Sequence, residues 1–328
     1  MSKKIGLFGY GAVAQGFYKA LDHNQQLDCE IVKICVKHED KVRELDASLF
    51  TIDPTELIND PSIDIIIELI DDADAAFHIV KNALDQKKAV ISANKRMVAE
   101  HIEDVAHWHL TADKPFFYEA AVGGSIPIIQ NLEQIFKQQE VTSIRGILNG
   151  STNYILTRMR EQKLSFDEAL GLAQSEGFAE SDPTLDISGR DAMYKLIILA
   201  YHAFGVRITN YDDIRLESIT NMEDQFYDLA ELQGMKIKSI ATAYRKNDSI
   251  RLKVQPELID PADDLFGIEE ENNSIIVDAS FSGKQIYTGK GAGSLPTASA
   301  VINDLALLLK GFRYTANSDV KSPLKKSA

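Results

Sequence analysis

Lys4-Ile5-Gly6-Leu7-Phe8-Gly9-Tyr10-Gly11-Ala12-Val13-Ala14 carries more structural information than any other stretch of this chain. Its first half is a short, mostly apolar run without alternation, which predicts a strand covered on both faces. Gly9-Tyr10-Gly11 follows as a turn, and beyond it Val13, Phe17, Ala20 and Leu21 recur at a spacing that puts them on one helix face. Strand, glycine turn and helix are expected in that order. The alternation continues, with strands read at 30–36, 63–70, 88–93 and 116–119 and helices at 73–84 and 96–110. Strands that alternate with helices build a parallel sheet with crossovers on both faces.

Pro127 marks a change of pattern. Helices are read at 128–136, 152–160, 166–175 and 189–204 and a strand at 144–148, and Ser165 with Glu168 makes a capping box for the helix at 166–175. From Lys236 the chain turns strand-rich, at 236–244, 250–254 and 274–277, before a last helix at 297–310. The expected fold is α/β: a Rossmann-like parallel-sheet domain over residues 1–125, then a second α+β domain with a largely antiparallel sheet over 126–312. The last helix could pack back on the first domain. Residues 313–328, with Lys321, Lys325 and Lys326, are expected to be a flexible tail.

With 328 residues, 45% hydrophobic and 26% charged, the chain has room for two folded domains and is not a disordered polymer. Its 35 Lys and Arg against 49 Asp and Glu give a net charge of −14, a field that repels nucleic acid and anionic membranes. Cys29 and Cys35 are too few for a disulfide framework and suit a reducing, cytoplasmic setting. The run after Lys3 and Lys4 is too short and glycine-rich for a secretory leader. Asp64 and Glu68 interrupt the richest apolar window, Ile63 to Ile70, so no membrane span is expected.

Gly9-Tyr10-Gly11-Ala12-Val13-Ala14 matches G-x-G-x-x-G/A in the context that motif requires. Gly9 permits the tight turn, Gly11 lets the backbone approach a pyrophosphate, and Ala14 lets the helix pack closely. Free N–H groups at the helix N-terminus face the anion. A dinucleotide is the expected ligand, the alternative being an ordinary strand-to-helix turn. NAD specificity calls for an acid at the end of the second strand. Here that strand ends Cys35-Val36-Lys37-His38, with Glu39 and Asp40 slightly beyond, so cations come first and NADP is favoured over NAD. The alternative is that Lys37 and His38 are simply solvated.

Between Gly177 and Lys195, Glu180, Asp182, Asp186 and Asp191 supply four carboxylates. Asp191 and Lys195 stand four apart on one predicted helix and share a face. Leu196-Ile197-Ile198-Leu199-Ala200 follows, so the helix should be deeply buried, where a lysine is rare unless paired or functional. These carboxylates could bind an ammonium group and pair with the lysine. Alternatively, Asp186 and Asp191 favour a helix N-terminus while Lys195 snorkels to water. Lys95, in Ser92-Ala93-Asn94-Lys95, follows a predicted parallel strand, where open α/β sheets bind their ligands, or else is a surface lysine.

Four longer segments join these motifs: Tyr118-Glu119-Ala120-Ala121-Val122-Gly123-Gly124-Ser125-Ile126-Pro127, Gly146-Ile147-Leu148-Asn149-Gly150-Ser151-Thr152-Asn153-Tyr154, Glu180 to Lys195, and Gly289-Lys290-Gly291-Ala292-Gly293-Ser294-Leu295-Pro296-Thr297-Ala298-Ser299-Ala300. With the glycine turn and Ala93-Asn94-Lys95, they closely resemble the signature segments of homoserine dehydrogenases, in that family's order and across residues 5–310. The resemblance implies an NAD(P)-dependent oxidoreductase that interconverts L-homoserine and L-aspartate 4-semialdehyde in threonine and methionine biosynthesis, as a cytoplasmic homodimer built on its second domain. It implies Lys195 as proton donor to the developing alkoxide, with Lys95 assisting at the substrate. Glu180 and Asp191 would hold the substrate amino group, with Asp186 lining the site. A proton delivered to the carbonyl oxygen stabilises the charge that hydride transfer creates.

By the same resemblance Gly9, Gly11, Ala12, Val13, Lys37, Ser92, Lys95, Gly177, Gly291 and Gly293 meet the cofactor. A structural sodium ion would sit on the Glu119 carboxylate with backbone oxygens around Val122, Gly124 and Ile126. An ordinary glycine loop is the plain alternative for Gly291 and Gly293, and a local lysine is the alternative partner for Glu119.

The chain departs from the family pattern after Glu68-Leu69-Ile70, where Asp71-Asp72 replace a glycine pair. Two carboxylates beside an anionic dinucleotide weaken its binding unless they point away or meet a cation. That keeps open a non-catalytic dinucleotide-binding sensor. The other alternative is a related two-domain dehydrogenase acting on another small amino or semialdehyde substrate. Ser92 and Ser151 stand where threonine is common in the family, and both keep the hydroxyl. Longer members add a C-terminal domain that senses threonine; 328 residues leave no room for it, so feedback through such a domain is not expected.

Overall fold

β1 (Lys3–Phe8) runs directly into Gly9 and then α1 (Ala12–His23), in the order the opening motif predicts. The computed structural model describes residues 2–24, 26–38, 41–222, 224–247 and 249–315. These fall into two units, 2–127 with 292–315, and 128–291.

The first unit continues through β2 (Cys29–Cys35), β3 (Phe50–Thr51), α2 (Thr55–Ile58), β4 (Ile65–Glu68), α3 (Ala73–Asp85), β5 (Ala89–Ser92), α4 (Lys95–Glu100), α5 (Ile102–Thr111) and β6 (Phe116–Phe117). Its strands form one parallel sheet in the order β3-β2-β1-β4-β5-β6, the doubly wound order of a Rossmann fold. Ile5, Leu7, Ile66, Ile67, Val90 and Ile91 are fully buried. Helices cover both faces of such a sheet, which is why its central strands read as continuous apolar runs. Each of these side chains stabilises the unit by roughly 1.5–3 kcal/mol.

Two expected elements differ. The helix read at 96–110 is two helices, α4 and α5, broken at His101, whose ring stacks on Phe77 of α3. The strand read at 116–119 stops at Phe117, and Glu119–Ala121 turn as a 3₁₀ helix.

The second unit runs α6 (Ile128–Gln134), β7 (Val141–Ile147), α7 (Gly150–Gln162), α8 (Phe166–Ser175), α9 (Thr184–Ile187), α10 (Arg190–Phe204), β8 (Arg215–Leu216), α11 (Asp224–Gln233), β9 (Lys236–Lys246), β10 (Ser249–Ile259), β11 (Asn272–Ala279) and β12 (Gly283–Lys290). Its sheet, in the order β12-β11-β7-β9-β10-β8, is antiparallel at every pairing except the short β10–β8 contact. The capping box of Ser165 and Glu168 opens α8. Lys238 of β9, 1% exposed, is neutralised by Glu269 at 2.8 Å. Glu269 also accepts from Thr157 and Arg160 of α7. Charge as well as packing therefore pins α7 to β9, and the helix start that follows β7 is firmly placed.

The last helix, α12 (Ser294–Leu309), returns to the first unit. Ser294 Oγ donates to the Ala12 carbonyl at 2.5 Å, and a Cβ on Gly16 of α1 would stand 2.7 Å from Ser294 Oγ. Residues 316–328 of the expected tail lie outside the described residues. No helix among the described residues is long and apolar enough to cross a membrane.

Candidate active site

In the first unit the strand order reverses between β1 and β4, and open α/β sheets bind ligands outside the strand ends at such a point. Gly9 lies there with φ +88°, and a Cβ on it would stand 2.6 Å from the Leu69 carbonyl oxygen, so only glycine fits. At Gly11 a Cβ would meet nothing within 4 Å. The α1 N-terminus is therefore open, with Ala12 exposed and Val13 half-buried behind it. The acidic pair that departs from the family does not close it from both sides. Asp72 turns onto its own helix and accepts from Ala75 N at 3.0 Å as the N-cap of α3, while Asp71 is exposed.

Glu68, the last residue of β4, is fully buried and accepts from Ser92 Oγ at 2.5 Å and Ile70 N at 2.7 Å. Burial outweighs those bonds and, with the nearby Asp71 charge, pushes its carboxyl up to about 7. Ser92 Oγ in turn accepts from Asn94 N, and Asn94 caps α4 through Met97 N while donating to the Ile70 carbonyl. This chain of bonds braces the ends of β4 and β5 and sets Lys95, half-buried, as the first residue of α4. The Ser92 hydroxyl, expected at the cofactor, gives its hydrogen to Glu68.

Lys37 and His38 are exposed at the end of β2, and Glu39 and Asp40 lie outside the described residues. Arg43, which no periodicity marks, donates to the His38 carbonyl. Its guanidinium lies 4.8 Å over the Phe50 ring, and Phe50 packs edge-on against Tyr10 of the glycine turn at 5.3 Å. A guanidinium thus stands at the end of β2, where Lys37 and His38 are exposed. Glu119 is 1% exposed, and its backbone N–H donates to a second buried carboxylate, Asp304, at 2.9 Å. Burial and then the Glu119 charge push Asp304 well above the usual carboxylate range. Val122, Gly124 and Ile126 are buried in the turn that follows. Among the described residues no group of three or more His, Cys, Asp or Glu side chains could hold a metal ion. Cys29 and Cys35 are free thiols pushed up to about 11 by burial, so neither is a thiolate near neutral pH.

In the second unit β7 hands Leu148 and Asn149 to the start of α7. Lys195 is 6% exposed, on a helix buried from Asp191 to Ala203. It does not snorkel: its Nζ donates to Asp191 Oδ2 at 2.8 Å and to the Leu148 carbonyl at 2.7 Å. Asp186 comes from α9 and joins through Asn149, whose Nδ2 donates to Asp186 Oδ1 at 2.7 Å and to Asp191 Oδ2 at 2.8 Å. Gly189, at φ +81°, makes the left-handed turn that brings α9 and α10 together at one amide.

The remaining carboxylates of that stretch stay apart. Asp182 accepts from the backbone and hydroxyl of Thr184, and Glu180 is exposed on the turn after α8, as is Gly177. Gly291 is buried beside Asn273, and Gly293 is the N-cap residue of α12. Sequence reasoning missed Asn149 as a site residue, although it stands inside one of the quoted segments.

A family model described as homoserine dehydrogenase matches residues 127–306, and one described as the homoserine dehydrogenase NAD binding domain matches residues 9–118. The homoserine dehydrogenase of Bacillus subtilis (strain 168) is 33% identical over 335 residues, covering 99% of this chain and 77% of that protein. That of Helicobacter pylori is 35% identical over 312 residues, covering 92% of this chain and 72% of that one. The solved homoserine dehydrogenase of Thiobacillus denitrificans superposes with a TM-score of 0.89 at 35% identity, over 94% of this chain and 73% of that chain. With both units matched along nearly their whole length, the chain belongs to the homoserine dehydrogenase family of NAD(P)-dependent oxidoreductases.

Proposed function

We propose that this protein interconverts L-homoserine and L-aspartate 4-semialdehyde, with NADP preferred to NAD, and that Lys195 moves the proton. The observation that carries the reading is the buried Lys195 ammonium, held by Asp191 and the Leu148 carbonyl with one donor left to reach a substrate oxygen. When the aldehyde is reduced its oxygen gains negative charge. A pre-placed cation in a dry site stabilises that charge and then gives up a proton to it. In the opposite direction the same nitrogen takes the proton from the homoserine hydroxyl. Asp191 and Glu180 hold the substrate ammonium and Asp186 lines the site, and Lys95 takes the assisting role that the family resemblance implies.

A bound nicotinamide dinucleotide supplies the hydride exchange. Gly9, which tolerates no Cβ, and Gly11, which faces open space at a helix N-terminus, fit its pyrophosphate. By the family resemblance, Ala12, Val13, Ser92, Lys95, Gly177, Gly291 and Gly293 would join in binding it. Lys37, with His38 and Arg43, would receive a ribose 2′-phosphate, which is the ground for preferring NADP.

The Glu119 charge, which helps to raise the buried Asp304, is one that a cation would relieve. By the family resemblance, a structural sodium ion would be held by the Glu119 carboxylate with the backbone oxygens of Val122, Gly124 and Ile126. Family resemblance supports a homodimer built on the second unit, and the free thiols suit the cytoplasm. The test is absorbance of the reduced cofactor when purified protein meets homoserine with NADP or NAD. Homoserine-dependent reduction, faster with NADP at equal limiting concentration, is expected; no reduction with either cofactor sinks the reading.

A further inference from the structure

We infer that Asn149 is a positioning residue of this site: its side-chain amide keeps Asp186 and Asp191 ionised and at a fixed separation, and so sets the ammonium-binding end against Lys195. The inference rests on the homoserine reading above.

The orientation of the amide is determined by its partners. Asn149 Oδ1 accepts from Thr152 N at 2.8 Å and caps α7. A backbone N–H can only donate, so the oxygen faces the helix and Nδ2 faces the carboxylates. Both Nδ2 hydrogens are then used, one on Asp186 at 2.7 Å and one on Asp191 at 2.8 Å. A group that donates and cannot accept favours the carboxylate over the carboxylic acid. Asn149 is 5% exposed, so water does not dilute these bonds.

The same short segment holds the lysine. Leu148 supplies the carbonyl that accepts from Lys195, and Asp191 Oδ2 accepts from Lys195 and Asn149 together. Adjacent residues at the end of β7 therefore fix the acid pair and the ammonium relative to each other. α9 has four residues, too few to hold Asp186 by its own helical bonds, and the Asn149 amide ties it to α7.

Charged groups of the second unit come to this cluster, or lie near it, from several elements. α9 gives Asp186, α10 gives Asp191 and Lys195, and α8 ends in Glu176, which is bonded to Tyr154. Glu180 and Asp182 lie exposed on the turn before α9, Arg190 is exposed at the start of α10, and Glu217 follows β8 beside Gly189. From β9, Lys236 and Lys238 are both neutralised by Glu269, which also holds Arg160 of α7. Without the Asn149 amide, Asp186 and Asp191 each lose an N–H donor that favours the ionised form, and protonation becomes easier. A protonated acid no longer holds an ammonium.

Asn149→Asp tests this directly, because aspartate has the same shape and caps a helix as well as asparagine does. It turns the donor into a third carboxylate. Expected are an unchanged NADPH Kd and a kcat/KM for homoserine lowered about 30-fold, mostly through KM. The acid limb of the kcat/KM–pH profile should move up by about one unit. Asn149→Ser also caps and adds no charge; it should raise KM for homoserine about tenfold, with a smaller move of the limb, and it carries the test if the aspartate variant does not fold. A role confined to capping α7 leaves KM and the pH profile of both folded variants at wild-type values, and that result overturns the inference. Wild-type turnover of homoserine is measured first on the same preparation; its absence overturns the activity reading and this inference with it, whereas turnover with unmoved variants overturns this inference alone.

Discussion

Asp191 and Lys195 stand one turn apart on α10 with 2.8 Å between carboxylate and ammonium, and only 4% and 8% of their side-chain surfaces reach solvent. Taking a lysine out of water is costly unless its charge is met, and here one carboxylate and one carbonyl meet it. Asp191→Asn leaves the ammonium buried with neutral acceptors alone. Urea denaturation of that variant should show a loss of about 3 kcal/mol; an unchanged midpoint would mean that water reaches Lys195.

Glu68 makes stability depend on pH. Its folded carboxyl is pushed up from 4.5 to about 7, chiefly by burial, so the folded state binds the proton more tightly than the unfolded chain does. The contribution is complete below about pH 4.5 and is lost as pH rises to about 7, by roughly 3 kcal/mol in all. Glu68→Gln keeps an uncharged group of the same shape. The difference in stability between variant and wild type should widen in the variant's favour over that window, and a constant difference would show that Glu68 is not buried.

Gly9 and Gly11 should separate folding from binding. Gly9→Ala places a Cβ against the Leu69 carbonyl at positive φ and should cost about 2 kcal/mol of stability. Gly11→Ala meets no protein atom and should leave the melting temperature alone while weakening NADPH binding at least about tenfold, or 1.4 kcal/mol. Calorimetry on both variants checks the pair; undiminished NADPH affinity in Gly11→Ala would remove the α1 N-terminus from the cofactor site.

Lys37 and Arg43 should act on cofactor choice. The double variant Lys37→Ala, Arg43→Ala is expected to raise KM for NADP about 10- to 100-fold and to leave KM for NAD within about twofold. Equal losses with both cofactors would assign these side chains to the fold rather than to a 2′-phosphate.

Elements with strong periodicity are legible in the sequence, and those held by partners are not. α8 falls on the residues its capping box and apolar spacing predict, and β1 with α1 follows from one glycine turn. β3 has two residues and α2 four, too few to show a period, and β12 is an exposed edge whose Gly283 to Lys290 run does not alternate. The site divides in the same way. Asp191 and Lys195 are local, four apart on one helix, and their pairing follows from spacing. Asn149 meets carboxylates 37 and 42 positions away, and Arg43 reaches the glycine turn through Phe50, so both depend on how the chain returns. Closeness in sequence does not by itself predict the hydrogen-bonded cluster: Glu180 and Asp182 stand near Asp186 and Asp191 in the chain but are exposed to solvent.

Whether Lys195 moves the proton is read from homoserine-dependent NADP reduction by Lys195→Met beside wild type, at saturating concentrations of both substrates. NADPH affinity is measured on the same samples. A kcat lowered about a thousandfold with NADPH affinity unchanged is expected; a folded Lys195→Met variant that turns over homoserine at the wild-type rate would contradict the account.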